Sequence, residues 1–578
     1  MRGPRSYTRE DVAEIQLHGG SYVLRRGVEL CLSSGARLAA PGEFTKRAFL
    51  NGRIDLSEAE AVVSLIAARG EQEHRAALRE MRGGVTAFVR DAADRLYRIQ
   101  AGLAACVAIW TVSLFCFISY SLNGSDRVAR WEQAVFFAVT LLCFTCFYHS
   151  DILNTAGSSF TFLNGHILDF YTVNADLGYY DIYMPGVYIL FAIWNIPLYL
   201  LGYGRTLVPF AQMSYPYPVY LWFKLLPALC YFLTSFLIRE IMLEVGFSGR
   251  KARIAQLVWI ACPLGFLSQF THGQYDIFAL CICLLGFLSF LRRHDRRFLL
   301  FFTIAVTFKY FALLYFMPML LLREKNFWKA ALKTVIVFIL NVPMLLNQGY
   351  GAGYVEFMAR NSLISRVLYP HLLLGHGGAN VPIIPVLFIL LFAYVFFCAK
   401  EAGTKEGVFA QVVCYANFAN FAMFGFLFWH PQWLLYATPF LVFTIFLARD
   451  KRMTVMLETA LALAYTVCKI KSFAADGAQH MLAGGLFGPA LQDIDVFFAM
   501  KMQFLLVSPF APLLAAVFLF FIFYINRDLA SGWSDWDRES LDDLPFGLLR
   551  GYAFSGTMLF LTAALCTLIM TLLLRQVG

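Results

Sequence analysis

The chain has 578 residues, of which 59% are hydrophobic and 17% aromatic, with a mean hydropathy of +0.62. That composition excludes an ordinary water-soluble globular chain and an intrinsically disordered one. The net charge of +9 does not by itself indicate nucleic acid, because most basic residues beyond the first hundred sit in short loops between apolar runs, where topology bias explains them. Residues 1–100 are different, with 16 Lys/Arg and 13 Asp/Glu. The N-terminus "MRGPRSYTRE" lacks an apolar core, so no cleavable signal peptide is expected. "EDVAEIQLHGG" alternates like a strand and ends in a Gly-Gly turn. "SYVLRRGVELCLSSG" has helical periodicity with a Gly stop, and "DLSEAEAVVSLIAARGEQEHRAALREM" reads as a long amphipathic helix with an acidic first turn. These elements predict a small soluble α/β fragment.

"RSYTREDVAEIQLHGG" and "PGEFTKRAFLNGRIDLSEAEAV" closely resemble MnmE (TrmE), the tRNA wobble-uridine modification GTPase family, over residues 4 to about 106. The resemblance implies a folate-binding, dimer-forming N-terminal domain, truncated at its first strands. Arg5, Tyr7, His18, Lys46 and Arg53 match positions that would contribute to a pocket for a 5-formyltetrahydrofolate-type cofactor. Domain packing and dimer contacts stand as the equal alternative for them. The family's GTPase part is not represented, since no G-x-x-x-x-G-K-[ST] phosphate loop occurs in the 578 residues.

Residues 107–131 form the seam between two differently composed parts, with "AGLAACVAIWTVSLFCF" running apolar at once after a charged helix. A fusion of two genes and a recruited regulatory domain both account for it. From residue 132 to 578, apolar runs recur near 132–148, 217–242, 254–270, 276–291, 329–346, 381–399, 408–428, 434–448, 454–472, 502–525 and 553–574. Roughly 20 apolar residues span a bilayer, so the expectation is an α-helical polytopic membrane protein with about 11–14 membrane segments. Residues 298–322 would cross as two short limbs meeting at Lys309 and Tyr310, and 186–202 would lie along the outer interface. The basic loops at 249–253, 292–297, 323–329, 400–405 and 449–452 would be cytoplasmic. The Cys-x-x-Cys of Cys143 and Cys146 lies in an apolar run and is read as packing, not a zinc or redox site.

The long loop after the first span holds Asp151, Asp169, Asp176 and Asp181 among aromatics. Asp151, closest to the span, is the candidate general base, with Asp169 and Asp181 as substitutes; a helix-capping or solvated Asp is the plain alternative. Lys309 stands in an apolar stretch where an unpaired ammonium would cost about 3 kcal/mol or more.

"YYDIYMPGVY", "HGQYD", "FKYFALLYFMP" and "FWHPQWLLYATPF" follow in an order similar to the GT-C superfamily of membrane glycosyltransferases, particularly the polyprenyl-phosphate-mannose-dependent type. This resemblance implies transfer of a hexose from a polyprenyl-phosphate-sugar donor to a glycan or lipid-linked acceptor on the extracytoplasmic face, with inversion. It places Asp151 as base and Lys309, His272, His430 and Gln274 at the donor phosphate. Trp429 and Trp433 would be interfacial anchors, with a sugar-stacking role as the alternative. Partners would be membrane lipid, donor and acceptor, with no nucleic acid on this part; no cofactor is certain and a divalent cation stays open. An MnmE-type folate-binding and dimerisation fragment is the alternative function for the chain.

Overall fold

The computed structural model describes residues 1–68, 70–71, 73–75, 78, 134, 137–141, 144–145, 150–179, 183–273, 275–342, 371–373, 380–426, 431–475, 510–532, 544–553 and 555. The chain divides into two compact units, Met1–Leu103 and Ala104–Arg575, together with the last three residues counted to the first.

In the first unit a loop over residues 1–12 leads through an irregular stretch to three helices, α1 (Ser21–Ser33), α2 (Glu43–Leu50) and α3 (Leu56–Ala67). α1 stops at Gly35, whose φ of 99° is open to glycine at no steric cost. α3 starts with a reciprocal cap: Asp55 accepts from the Glu58 backbone N–H at 2.8 Å, and the Glu58 carboxylate accepts from the Asp55 N–H at 2.9 Å. α2 packs on α3, with Ala48 and Ala61 fully enclosed. α1 buries none of its residues, although Tyr22, Leu24, Val28 and Leu30 are apolar.

The strand expected from "EDVAEIQLHGG" does not form, and residues 11–18 are irregular. Alternation favours a strand only where a neighbour satisfies its backbone groups. Among the described residues the only sheet is a two-stranded one, with β1 (His371–Leu373) antiparallel to β2 (Asn380–Pro382).

The second unit is helical. Two helices are long and apolar enough to cross a membrane among the described residues, Tyr217–Val245 and Lys405–Phe424. The expected polytopic architecture of 11–14 segments is therefore corrected. The other apolar helices, including Pro185–Leu200, Ile277–Leu291, Ile383–Cys398 and Thr438–Leu447, have 10–17 residues. At 1.5 Å per residue a 15-residue helix reaches about 22 Å, short of a hydrocarbon core of about 30 Å. The run read as one span over 254–270 is two helices, Gly249–Ala261 and Pro263–His272, parted where Pro263 follows Cys262. Lys405–Phe424 is itself an inner helix, with 89% of its most apolar window enclosed by the protein. It packs on Leu313–Arg323, where the buried Tyr315 hydroxyl lies 2.8 Å from Asn420 Oδ1 and 2.7 Å from the Tyr436 carbonyl.

Three backbone features fix the polar interior of this unit. Helix Pro263–His272 ends at Gly273, with φ 65°, where a Cβ would come within 3.0 Å of Lys224 Cγ. Helix Asp295–Val306 stops at Thr307, and a short 3-10 turn, Tyr310–Ala312, leads into helix Leu313–Arg323. Gly186, at the start of helix Pro185–Leu200, donates its N–H to the Thr307 carbonyl at 3.1 Å. A Cβ at Gly186 would meet Thr307 Oγ1 at 2.6 Å, so this close approach needs glycine.

Candidate functional site

In the first unit, backbone hydrogen bonds close the loop on itself: the Met1 amine donates to the Val12 carbonyl at 2.5 Å and the Val12 N–H returns to Met1 at 2.8 Å. Gly3 N–H donates to Asp11 Oδ1 at 2.8 Å. Side chains then fasten this loop to α2. Arg47 Nη1 donates to Glu10 Oε2 at 2.9 Å, and Asn51 Nδ2 donates to the Thr8 carbonyl at 2.7 Å and to Glu10 Oε1 at 3.1 Å. Arg9 reaches the Asn51 carbonyl at 3.2 Å.

Glu43 holds the opposite side, accepting from Arg37, from Arg47 and from the Ala40 N–H. These bonds, Arg37 first, hold the Glu43 carboxyl well below its ordinary range, and Arg47 followed by Asn51 lowers that of Glu10. The arrangement neutralises Arg37 and Arg47 internally.

Of the residues matched to a folate pocket, Tyr7 touches α2, its hydroxyl 3.4 Å from Thr45 Oγ1, next to Lys46. Arg5, Lys46 and Arg53 are exposed and make no side-chain hydrogen bond or ion pair among the described residues. His18 is exposed in the irregular stretch before α1. The unit thus brings Tyr7 to α2 beside Lys46. Glu10, Arg47 and Asn51, which organise the loop, were not singled out from the sequence. Their only signal was the density of charge in "TREDVAE" and "EFTKRAFLN".

In the second unit, Lys309 meets Asp276, Nζ to Oδ1 at 2.5 Å, with side chains 11% and 1% exposed. The ammonium also lies 5.0 Å from the Trp433 ring centroid, 5.2 Å from Tyr183 and 5.3 Å from Phe311. Trp433 is buried beside this cation, which corrects its expected role as an interfacial anchor. Tyr275 packs edge-on against Tyr183 at 5.0 Å. Burial raises the phenol pKa of Tyr183, and the charges of Asp151 and Asp276 add to it. Asp151 is half-buried in the first turn of helix Ser150–Ser158.

Asp169 stands before helix Phe170–Asp176 as an exposed partner of His166 Nδ1, at 2.9 Å. His272 is the last residue of its helix, with its side chain outside the described residues. Asp181, Gln274, Trp429, His430, Cys143 and Cys146 lie outside the described residues. Among the described residues no three His, Cys, Asp or Glu side chains come together as a metal site.

Besides Asp276, two fully buried ionisable residues were missed. Lys224 is fully enclosed, donating to the Phe144 carbonyl at 2.7 Å and the Phe270 carbonyl at 3.0 Å. Glu458 is fully enclosed near Tyr552, whose hydroxyl lies 3.1 Å from Cys262 Sγ. A single Lys or Glu inside an apolar run was the available signal for both.

Comparison with known proteins bears on the first unit. Residues 1–53 match the family model described as GTP-binding protein TrmE N-terminus. The chain is similar to the tRNA modification GTPase MnmE of Acetivibrio thermocellus, 50% identical over 107 residues, which are 18% of this chain and 23% of that protein. It is 53% identical over 105 residues to MnmE of Symbiobacterium thermophilum, covering 18% and 23% of the two chains. With MnmE of Moorella thermoacetica it shares 51% identity over 140 residues, 23% of this chain and 30% of that one. The chain thus spans about a quarter of the length of the curated relatives it matches. No solved structure matches.

The N-terminal region is therefore similar to the N-terminal part of MnmE proteins. These relatives are tRNA modification GTPases, a finding that overturns the expected glycosyltransferase with its polyprenyl-phosphate-sugar donor and acceptor. The expected multi-pass plasma-membrane placement with an extracytoplasmic site is corrected on the same matches and on the two candidate spans.

Proposed function

We propose that the first unit is a folate-binding and self-pairing module of the MnmE type, a part of tRNA wobble-uridine modification without that family's phosphate loop. The observation that carries this reading is the match over residues 1–53, joined by about 50% identity to MnmE proteins over about 100 residues. Those residues include the whole loop and α2, with the exposed cations Arg5, Lys46 and Arg53, which have no side-chain partner among the described residues, and the half-exposed ring of Tyr7.

This donor set fits a reduced folate. Cations suit the carboxylates of its glutamyl tail, and an exposed phenol ring suits stacking on its pterin. When bound, such a cofactor supplies a one-carbon unit. The protein's part is to hold it: Arg5, Lys46 and Arg53 for charge, Tyr7 for the ring, and His18 as a further contact. Self-pairing is supported by the relatives and by the apolar residues of α1, none of which is buried within its own unit.

The test is retention of the full-length chain on immobilised 5-formyltetrahydrofolate, with elution by the free compound. A chain lacking residues 1–78 should pass through. If the shortened chain is retained equally, the module is not where this reading puts it.

A further inference from the structure

We infer that Glu10 is a positioning residue for the proposed folate site, acting through Arg47 and Asn51 to hold the loop that carries Arg5 and Tyr7 against α2. The inference rests on the folate reading and goes beyond it, since Glu10 is not among the residues matched to the pocket.

The geometry supporting it is specific. Glu10 presents one carboxylate oxygen to Arg47 at 2.9 Å and the other to Asn51 at 3.1 Å, so both oxygens are used by α2 and the residue following it. Arg47 and Asn51 are four residues apart, one helical turn, so they meet the loop from the same face. On the loop side Glu10 is tied back through its own carbonyl, which accepts from Ser6 Oγ at 2.5 Å, and Ser6 lies between Arg5 and Tyr7. Ser6 is 1% exposed and Thr8 2%, the two buried points of a loop that is otherwise exposed or half-buried.

A chain of contacts therefore runs from α2 through Glu10 to Ser6, and Arg5 and Tyr7 flank its end. The same network sorts the cations. Arg47 is shared by Glu10 and Glu43, and Arg37 is bound by Glu43. Arg5 and Lys46 carry no such partner among the described residues. Internal carboxylates occupy Arg37 and Arg47, while Arg5 and Lys46, proposed to meet an anionic ligand, are not drawn into that network.

The full-length chain and its Glu10→Gln, Glu10→Asp and Arg47→Lys variants distinguish a positioning role from a merely structural one. Glu10→Gln keeps the shape and removes the charge; Arg47→Lys keeps the charge but loses the fork that spans two carboxylates. Binding of 5-formyltetrahydrofolate should weaken roughly fivefold in Glu10→Gln and Arg47→Lys, as expected for an exposed charge-assisted contact. Amide exchange at Gly3 and Val12 should quicken in parallel, with helix content unchanged. Glu10→Asp should recover most of both effects. Unchanged folate binding in Glu10→Gln and Arg47→Lys beside a wild-type chain that binds overturns the positioning role alone. A wild-type chain that binds no folate overturns the folate reading, and the positioning role falls with it.

Discussion

Lys309 and Asp276, far apart in the sequence, form a buried ion pair at the point where helix Ile277–Leu291 begins and helix Asp295–Val306 has just ended. With both partners enclosed, removing Lys309 takes the ammonium away from a buried carboxylate. Lys309→Met should destabilise the protein by about 3–5 kcal/mol. The double variant Lys309→Met, Asp276→Leu should regain most of that loss, because a buried ion pair adds little over an apolar pair of similar size. Denaturant unfolding of the four corners of this cycle measures it. A harmless Lys309→Met would show that the pair is not enclosed as described.

Acid should loosen the first unit. Glu43 and Glu10 have carboxyl pKa values lowered from the ordinary 4.5 by their hydrogen bonds to arginine. A depressed folded pKa contributes stability that is present above the unfolded value and lost as pH falls through the folded one. Protection of the loop amides relative to their intrinsic exchange rate should therefore hold at neutral pH and fall as pH drops below 4.5. Glu10→Gln should already show weakened protection of the loop amides at pH 7 and lose less on acidification than wild type does. A flat wild-type profile down to the lowest pH tolerated by the chain would contradict the clasp.

Alkali should act on the second unit through Glu458. Burial raises its pKa well above the ordinary 4.5, and the Tyr552 hydroxyl only partly offsets this. A raised folded pKa contributes stability that is complete below the unfolded value and lost as pH rises through the folded one. Glu458→Gln should therefore be more stable than wild type at pH 9, by about 1–2 kcal/mol, and lose that advantage at pH 4. Equal melting curves for the two proteins at both pH values would refute the buried neutral acid.

The cap of α3 offers a smaller, local effect. Asp55→Ala removes the side-chain acceptor for the Glu58 N–H and should cost about 1 kcal/mol of α3 stability. Asp55→Asn should cost less, since Asn caps nearly as well. Exchange of the α3 amides reads both, and an Asp55→Ala variant with wild-type protection would rule the cap out.

Helix α1 and the start of α3 were legible because their signals are local, whereas α2 was not read from the sequence. The Asp-x-x-Glu of "DLSE" starts α3, and the Gly after "CLSS" stops α1. The strand misread at 11–18 shows the limit, since alternation does not reveal whether a partner strand is present. Apolar length was overvalued for a related reason. Hydropathy registers side chains and passes over backbone breaks, such as the one at Pro263 that cuts the run 254–270 into two short helices. Lys309 was conspicuous in its apolar run, yet its partner was not, because the Asp276–Lys309 pair depends on how two helices are juxtaposed. Glu10 and Arg47 were hidden in plain charge density for the same reason: nothing local says which of many carboxylates a given arginine meets.

The most direct test of the central claim, that the first unit is a folate-binding module, is calorimetric titration of the full-length chain with 5-formyltetrahydrofolate, beside a Lys46→Ala, Arg53→Ala variant. The account predicts saturable binding by the wild-type chain and binding at least about tenfold weaker in the variant, for the loss of two charge-assisted contacts. No heat of binding to the wild-type chain, or equal affinity in the two proteins, would contradict it.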